Sequence, residues 1–170
     1  ILNTNTTTVL GNGVVLNLQV MYEELDALAA RGLKVAHPLI SNNAHLITPY
    51  HQTLDKVEER FAGQRRIGTT GRGIGPTYSD KVNRIGIRVQ DLLNEAVLRD
   101  KVEAAVAQKN KRLIKIYNVR SVDAEQIVEH LLSFVERIRP HIVDTGRLLN
   151  NAIDAGKVVL FEGAQAHHLD

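Results

Sequence analysis

The 170-residue chain contains no cysteine, which excludes disulfide bonds and thiolate metal sites. A chain without cysteine also suits the cytoplasm, and we expect that location. No apolar run approaches the roughly 20 residues that a membrane-spanning helix needs, so no membrane partner is expected. The first residues, ILNTNTTTVL, lack the basic region and cleavage pattern of a signal peptide.

An excess of one charge is also missing, because 21 lysines and arginines stand against 19 acidic residues. A formal net charge of +2 is too small to indicate a nucleic-acid partner. Aromatic residues make up only 4% of the chain, so the cations of QKNKRLIK, residues 108–115, are predicted to form a solvated helix face. We therefore expect no nucleic-acid partner.

Histidines with the spacing of metal ligands are lacking as well. No HExxH pattern occurs, so packing or surface roles are predicted for His37, His45, His51, His130 and His141. The neighbours His167 and His168 would point to opposite faces of an extended segment, which argues against a shared ion. The sequence therefore predicts no metal site.

What the chain does have is the pattern of an α/β protein. Two short strands are predicted around Gly11–Gly13, and a helix follows that stops at Gly32. Residues 48–62 predict a helix with Thr48 as its N-cap and Pro49 at its first position. Helices are predicted near 95–117, from Asp123 onward and at about 142–155. KVVLFEG, residues 157–163, predicts a buried parallel strand because it is nearly all apolar.

The segment GTTGRGIGPTYSDKVNR, residues 68–84, holds four glycines within eight residues. Glycine permits positive φ and close approach to the backbone, and successive amides of such a loop form a concavity suited to anions. The order is neither a P-loop nor a Rossmann fingerprint, because it ends in Pro76 rather than at a helix start. Residues 63–78 are predicted to be loop.

Positive charge is concentrated around this segment. Between residues 65 and 88 there are six cations, Arg65, Arg66, Arg72, Lys81, Arg84 and Arg88, against the single acid Asp80. Glycines, threonine hydroxyls and cations together are equipment for holding a phosphate monoester, with about 1.5–3 kcal/mol from each charge-assisted bond. If residues 78–84 form a helical turn, Lys81 and Arg84 share a face and reach one anion. The planar fork of arginine favours Arg84 as the phosphate clamp.

Four segments carry a resemblance to one family. IGTTGRGIGPTYSDKVNRIGIRV, residues 67–89, resembles the signature region of adenylosuccinate synthetase. LGNGVVL, LISNNAHLITPYH and FEGAQ resemble further segments of the family in the expected order. The resemblance covers essentially the whole chain, and the signature region is specific.

The resemblance implies an enzyme with a P-loop-NTPase-like parallel or mixed sheet. The family is a ligase of purine biosynthesis that joins inosine monophosphate (IMP) to L-aspartate, driven by GTP with Mg²⁺, and is typically a homodimer. By resemblance, Thr70 contacts the IMP phosphate, and Arg84 reaches the IMP of the partner subunit. Lys81 is the active-site lysine of the signature, and Gln165 lies against the purine.

By the same resemblance, the chain is expected to be the central portion of a longer domain. Its parts are then a strand and helix part at 1–62, the IMP-binding glycine loop at 63–90, a helical part at 91–156, and a strand with an IMP-contacting loop at 157–170. The family's catalytic aspartate and histidine, with most of the GTP and Mg²⁺ site, lie outside these residues. His167 and His168 depart from the small or aliphatic residues that are commoner there.

Two other interpretations of the residues remain open. The chain is alternatively a non-catalytic nucleotide- or phosphate-binding module built on the same loop. A helical interaction domain whose basic loop binds nucleic acid is the third possibility, and salt-dependent RNA or DNA binding that IMP fails to compete would favour it.

Overall fold

The computed structural model describes residues 1–3 and 5–163, and within them five very short strands pair in parallel. A three-stranded sheet has the order β1-β3-β5, and β2 pairs with β4 in a second sheet. The strands are β1 (Val9–Leu10), β2 (Val15–Leu16), β3 (Leu39–Ser41), β4 (His45–Leu46) and β5 (Ile142–Val143). The predicted α/β class is confirmed.

Helices make up about half of the described residues and dominate the middle of the chain, as predicted. They are α1 (Leu18–Ala30), α2 (Pro49–Ala62), α3 (Ile74–Val82), α4 (Glu95–Lys115), α5 (Ala124–Leu132), α6 (Val135–Ile138) and α7 (Thr145–Asp154). Short 3₁₀ turns occupy 63–65, 89–93 and 139–141. None of these helices is long and apolar enough to cross a membrane.

Local sequence explains where the main helices begin. The side chains of Asn17, Asn94, Asp123 and Asp144 each accept a hydrogen bond from an amide of the following first turn. Helix α2 starts at Pro49 after Thr48, as predicted, and the Thr48 amide donates to Nδ1 of His51 at 3.0 Å. These caps satisfy amides that have no partner inside their own helix.

One continuous core joins the strands to α1, α2, α4 and α5. Its fully buried members include Ile40, Leu46, Leu54, Leu98 and Val128. The stripe predicted from Asp123 onward is buried at Ile127, Leu131, Val135 and Ile138, although α5 and α6 divide it. Burial of this apolar stripe holds the helical part against the sheets.

Two predictions about elements are wrong. The segment predicted to be loop at 63–78 contains the start of α3 at Ile74, whose N-cap Gly73 is left-handed, with φ of 85°. The strand predicted at 157–163 is not formed: these residues are irregular, and Val158 and Leu160 are 98% and 89% exposed. An apolar run becomes a buried strand only beside partner strands, and the described residues place none against it.

Candidate functional site

Two carboxylates of helix α2 hold the glycine loop in place. Oε1 and Oε2 of Glu59 accept hydrogen bonds from the amides of Ile67 and Gly68 at 3.0 and 2.9 Å. Asp55 lies one turn earlier, where its Oδ1 accepts from Oγ1 of Thr69 at 2.7 Å and its Oδ2 from the Gly73 amide at 2.8 Å. The loop is therefore fixed at both ends on one helix face.

Glycine is required at defined points of this loop. Gly68, Gly71 and Gly73 all have positive φ, which costs little without a Cβ. A Cβ on Gly73 would lie 2.9 Å from the backbone carbon of His51 and the amide nitrogen of Gln52. The loop thus packs onto α2 more closely than any other residue would permit.

The anion concavity expected from the sequence is only partly free. The amides of Ile67, Gly68 and Gly73 are directed at the protein's own carboxylates. The amides of residues 69–72 donate to no atom of the described chain, and Thr70 is exposed between them. These amides and the Thr70 hydroxyl are the donors left for a bound anion.

The cations around the loop are not paired with carboxylates. Within residues 1–3 and 5–163, none of the six cations between 65 and 88 forms a salt bridge. Asp80, the one acid of the segment, is fully buried and paired with Lys109 of helix α4. The positive charge of this surface is therefore available to a ligand.

Lys81 and Tyr78 dock helix α3 on the turn between β1 and β2. The Lys81 ammonium donates to the Asn12 carbonyl at 3.1 Å, and the Tyr78 hydroxyl donates to the Gly13 carbonyl at 2.8 Å. Oδ1 of Asn12 in turn accepts from the hydroxyls of Ser41 and Thr145. Asn12, Ser41 and Thr145 follow or end β1, β3 and β5, so this cluster lies at the carboxyl edge of the sheet, where α/β proteins commonly bind ligands.

Arg84 lies in a left-handed turn directly after α3. Its φ of 60° is unusual for a residue with a side chain. The Arg84 amide donates to the Lys81 carbonyl at 3.1 Å, and the Ile85 amide donates to the Asp80 carbonyl at 3.0 Å. This is a Schellman motif with arginine at the position that glycine commonly occupies.

The proposed sharing of one helix face by Lys81 and Arg84 is not found. Helix α3 ends at Val82, so residues 78–84 are not one continuous helical turn. Arg84 instead borders a depression of about 230 Å³ whose other walls include Gly86, Lys101 and Gln108. Lys81 is directed at the strand ends.

A buried polar cluster lies between helices α2, α3 and α4. Asp80 accepts hydrogen bonds from Nε2 of His51 at 3.1 Å and from the Lys109 ammonium. Because Nδ1 of His51 accepts from the Thr48 amide, the imidazole proton is on Nε2. Burial opposes ionisation of Asp80, but the hydrogen bonds from His51 and Lys109 outweigh it and lower the pKa of the carboxyl.

Two buried histidines remain neutral beside these cations. Burial lowers the pKa of His51, and the Lys109 charge adds to that effect against the attraction of Asp80. Burial also lowers the pKa of His45, with further lowering by Lys81 and Arg88. Cations of the basic segment therefore lower the pKa of a histidine in β4.

The described residues do not fit a magnesium site. No group of three or more histidine and acidic side chains in this part of the chain is arranged to hold a metal ion. The nearest candidates, Asp55 and Glu59, have their oxygens committed to the loop. Gln165 lies outside the described residues.

Sequence reasoning missed the His51–Asp80–Lys109 cluster. Lys109 was assigned to a solvated helix face, yet it is only 5% exposed, which corrects that prediction. The helical spacing contained the signal. Val102, Ala105 and Leu113 belong to the buried stripe of α4, and Lys109 lies on the same stripe, four residues after Ala105 and four before Leu113. Asn12 and Thr145 were also missed, because their contact joins residues far apart in sequence.

Comparison with known proteins gives one consistent result. A family model described as adenylosuccinate synthetase matches residues 1–170. Adenylosuccinate synthetases of Cutibacterium acnes and Kocuria rhizophila are 68% and 59% identical over all 170 residues, which cover 40% of either protein. The chain therefore spans about two fifths of the length of these relatives.

A solved structure shows the same arrangement of elements. The structure of fully ligated adenylosuccinate synthetase from Plasmodium falciparum superposes with a TM-score of 0.82 at 32% identity. The match covers 99% of this chain and 39% of that one.

Proposed function

Because the chain belongs to the adenylosuccinate synthetase family, we propose that it supplies part of the IMP site of a GTP-dependent enzyme that joins IMP to L-aspartate. It acts as the central portion of that enzyme and contributes to a homodimer interface in the cytoplasm. The product, adenylosuccinate, belongs to purine biosynthesis.

The observation that carries this proposal is the set of free donors in the glycine loop. The amides of residues 69–72 donate to no atom of the described chain, Thr70 is exposed between them, and the neighbouring Arg65, Arg66 and Arg72 form no salt bridge there. A nucleotide 5′-phosphate would supply the missing negative charge and accept several hydrogen bonds at once. The loop is already held by Asp55 and Glu59, so little ordering is required when the phosphate binds.

Each proposed site residue has a separate task. Thr70 donates its hydroxyl to the phosphate, and Arg84 binds the phosphate of the partner subunit's nucleotide. Lys81 holds the strand-end turn through Asn12 at the active-site edge of the sheet. Gln165 contacts the purine.

The remaining chemistry is assigned to parts of the family that this chain does not span. GTP and Mg²⁺ are assigned mainly to those parts, and for Mg²⁺ the described residues offer no fitting set of carboxylates. We expect the isolated 170-residue chain to form no adenylosuccinate from IMP, aspartate and GTP. Product formation by the isolated chain would contradict this assignment.

The test uses a hybrid protein, in which this chain replaces the matched segment of the Cutibacterium acnes relative. Arg84→Gly keeps the left-handed turn and removes only the guanidinium. We expect the KM for IMP to rise on the order of 10- to 100-fold, which corresponds to loss of one charge-assisted contact. Stability is expected to be unchanged or higher, because glycine fits this turn without strain.

Asn118→Gly is the matched control, since Asn118 is the other described non-glycine residue with positive φ, at 51°. It makes the same backbone change without removing a cation from the basic segment. Its KM for IMP should stay within about twofold of the parent hybrid, a shift of under 0.5 kcal/mol. If the KM for IMP of the Arg84→Gly hybrid changes no more than that of this control, Arg84 does not bind IMP.

Mixed dimers test the action of Arg84 across the interface. Subunits carrying Thr70→Val are mixed with subunits carrying Arg84→Gly. In half of the random dimers, one of the two sites then has both native residues, so about a quarter of the parent activity should return. If Arg84 acts within its own subunit, no native site forms and mixing restores nothing.

A further inference from the structure

We propose that the buried cluster of His51, Asp80 and Lys109 is a positioning device that fixes Arg84 in its left-handed turn. The proposal extends the proposed function, because the turn sets the direction from which the guanidinium meets a phosphate. None of the three cluster residues touches a ligand in this scheme, so they are positioning residues.

Asp80 connects the cluster to the turn, because its side chain belongs to the cluster and its backbone carbonyl belongs to the turn. Its side chain, which has no exposed surface, is held by His51 from α2 and by Lys109 from α4. Its backbone carbonyl accepts from the amides of Ile85 and Gly86 at 3.0 and 3.1 Å. A shift of the Asp80 side chain therefore moves the acceptor that closes the Arg84 turn.

The turn requires such support because it is strained. An arginine with φ of 60° lacks the freedom of glycine and is held only where its surroundings determine the conformation. Helix α3 has only nine residues, so its own last turn is a weak support. The exposed side of Arg84 contributes little restraint, and the firm restraint comes from the Asp80 side.

The composition of the cluster also favours a geometric role over a purely stabilising one. A buried ion pair commonly adds little stability compared with apolar residues of the same volume. It does fix donors and acceptors to defined directions, because each partner is lost if the geometry changes. Here the imidazole is itself oriented by the Thr48 amide at the start of α2.

The close fit beyond the turn transmits the same constraint. A Cβ at Gly86 would lie 2.5 Å from Cδ2 of His45, so the chain after Arg84 is pressed onto β4. Residues 80–86 are thus fixed at Asp80 on one side and at His45 on the other. Arg84 lies between these two points and is exposed, as are Val82 and Asn83.

Lys109→Met in the hybrid protein tests the proposal. Methionine keeps much of the volume and removes the ammonium that holds Asp80. Hydrogen–deuterium exchange of the Ile85 and Gly86 amides should become at least tenfold faster, and the KM for IMP should rise about tenfold with kcat changed less than threefold.

Asn110→Ala is the matched control on the next residue of α4. Asn110 bonds to the amide and carbonyl of Val122, both at 2.9 Å, and has no hydrogen bond to α3. Its exchange should accelerate at Val122 and not at Ile85 or Gly86. If both variants accelerate exchange at Ile85 and Gly86 equally, the cluster contributes only to general stability and the proposal is overturned.

A double variant separates positioning from direct contact. If Lys109 acts only through Arg84, then adding Lys109→Met to Arg84→Gly should raise the KM for IMP no further. Multiplication of the two effects would overturn the proposal. Should Lys109→Met fail to fold, Asp80→Asn keeps the shape of the side chain and must show the same faster exchange at Ile85.

The two proposals fail in different ways. An unchanged KM in Arg84→Gly alone contradicts the IMP role of Arg84, whereas the exchange rates still decide whether the cluster fixes the turn. Unchanged exchange at Ile85 and Gly86 in Lys109→Met contradicts positioning, whatever the KM values show.

Discussion

The basic segment at 65–88 and the helical segment at 95–139 use their cations in opposite ways. None of the six cations in the first forms a salt bridge within the described chain. In the second, six cations are paired with carboxylates: Arg99, Lys101, Lys109, Arg112, Arg137 and Arg139. The first segment has cations without carboxylate partners among the described residues, whereas most cations of the second form ion pairs within the fold.

The difference shows why net charge says little about this protein. A total of +2 conceals a segment whose six cations form no salt bridge within the described residues. The one acid of the segment, Asp80, is buried and paired with Lys109 of the helical segment. Local pairing, rather than the total, shows which segment has positive charge without a carboxylate partner in the described residues.

The largest expected contrast comes from replacing one cation of each segment by methionine. Lys109→Met leaves the buried Asp80 carboxylate short of a partner and should reduce the free energy of unfolding by about 3–5 kcal/mol. Arg72→Met removes an exposed, unpaired cation and should change it by less than about 0.5 kcal/mol. Urea denaturation of both variants measures the contrast, and similar losses would erase the distinction between the segments.

Two glycines of the basic segment give the next largest contrast. Gly73→Ala forces a Cβ to within 2.9 Å of backbone atoms of α2 at a φ of 85°, and about 2–3 kcal/mol of stability should be lost. Gly75→Ala meets no atom within 4 Å and lies in helix α3, so it should be neutral or stabilising by up to about 1 kcal/mol.

Thermal unfolding midpoints of the two alanine variants decide the matter. Loss of phosphate binding should accompany Gly73→Ala and not Gly75→Ala, since only the former displaces the loop from α2. Equal midpoints would mean that the loop does not depend on its contact with α2.

A further expected effect concerns pH. His45 and His51 have lowered pKa values when folded, so the unfolded chain binds more protons below its usual histidine pKa of about 6.5. The contribution of the two histidines to the free energy of unfolding should be fully present above that pH. It should fall as the pH decreases toward their lower pKa values in the folded state, by up to about 1.4 kcal/mol per pH unit for each histidine.

Arg88→Gln sharpens the comparison at the level of single residues. It removes a charge that lowers the pKa of His45, so that pKa should rise while the pKa of His51 stays unchanged. Titration of the imidazole resonances by NMR measures both. A joint rise would show that the basic segment also acts on the buried cluster.

Local signals predicted the elements that local residues determine. Thr48 and Pro49 predicted the start of α2, and its predicted end at residue 62 is also observed. The start of α3 was missed because Gly73 and Pro76 are typical of loops, yet a left-handed Gly73 serves as N-cap and Pro76 fits the first turn. The strand at 157–163 was predicted from apolar composition, which cannot supply the partner strands that a sheet requires.

An anion site around Gly68–Arg84 stays a prediction from residue types. The support behind the loop was not predictable, because Asp55, Glu59, Asp80 and Lys109 act over separations of up to 29 residues. Such pairings depend on how the helices pack, which no single stretch of sequence specifies.

Arginine at the turn after α3 also has an evolutionary consequence. A descendant of this chain selected only for folding would gain from glycine or asparagine at position 84, since either fits left-handed backbone with less strain. Selection for folding alone would then remove the guanidinium. The identity of residue 84 in a diverged copy therefore indicates whether selection still maintains the guanidinium.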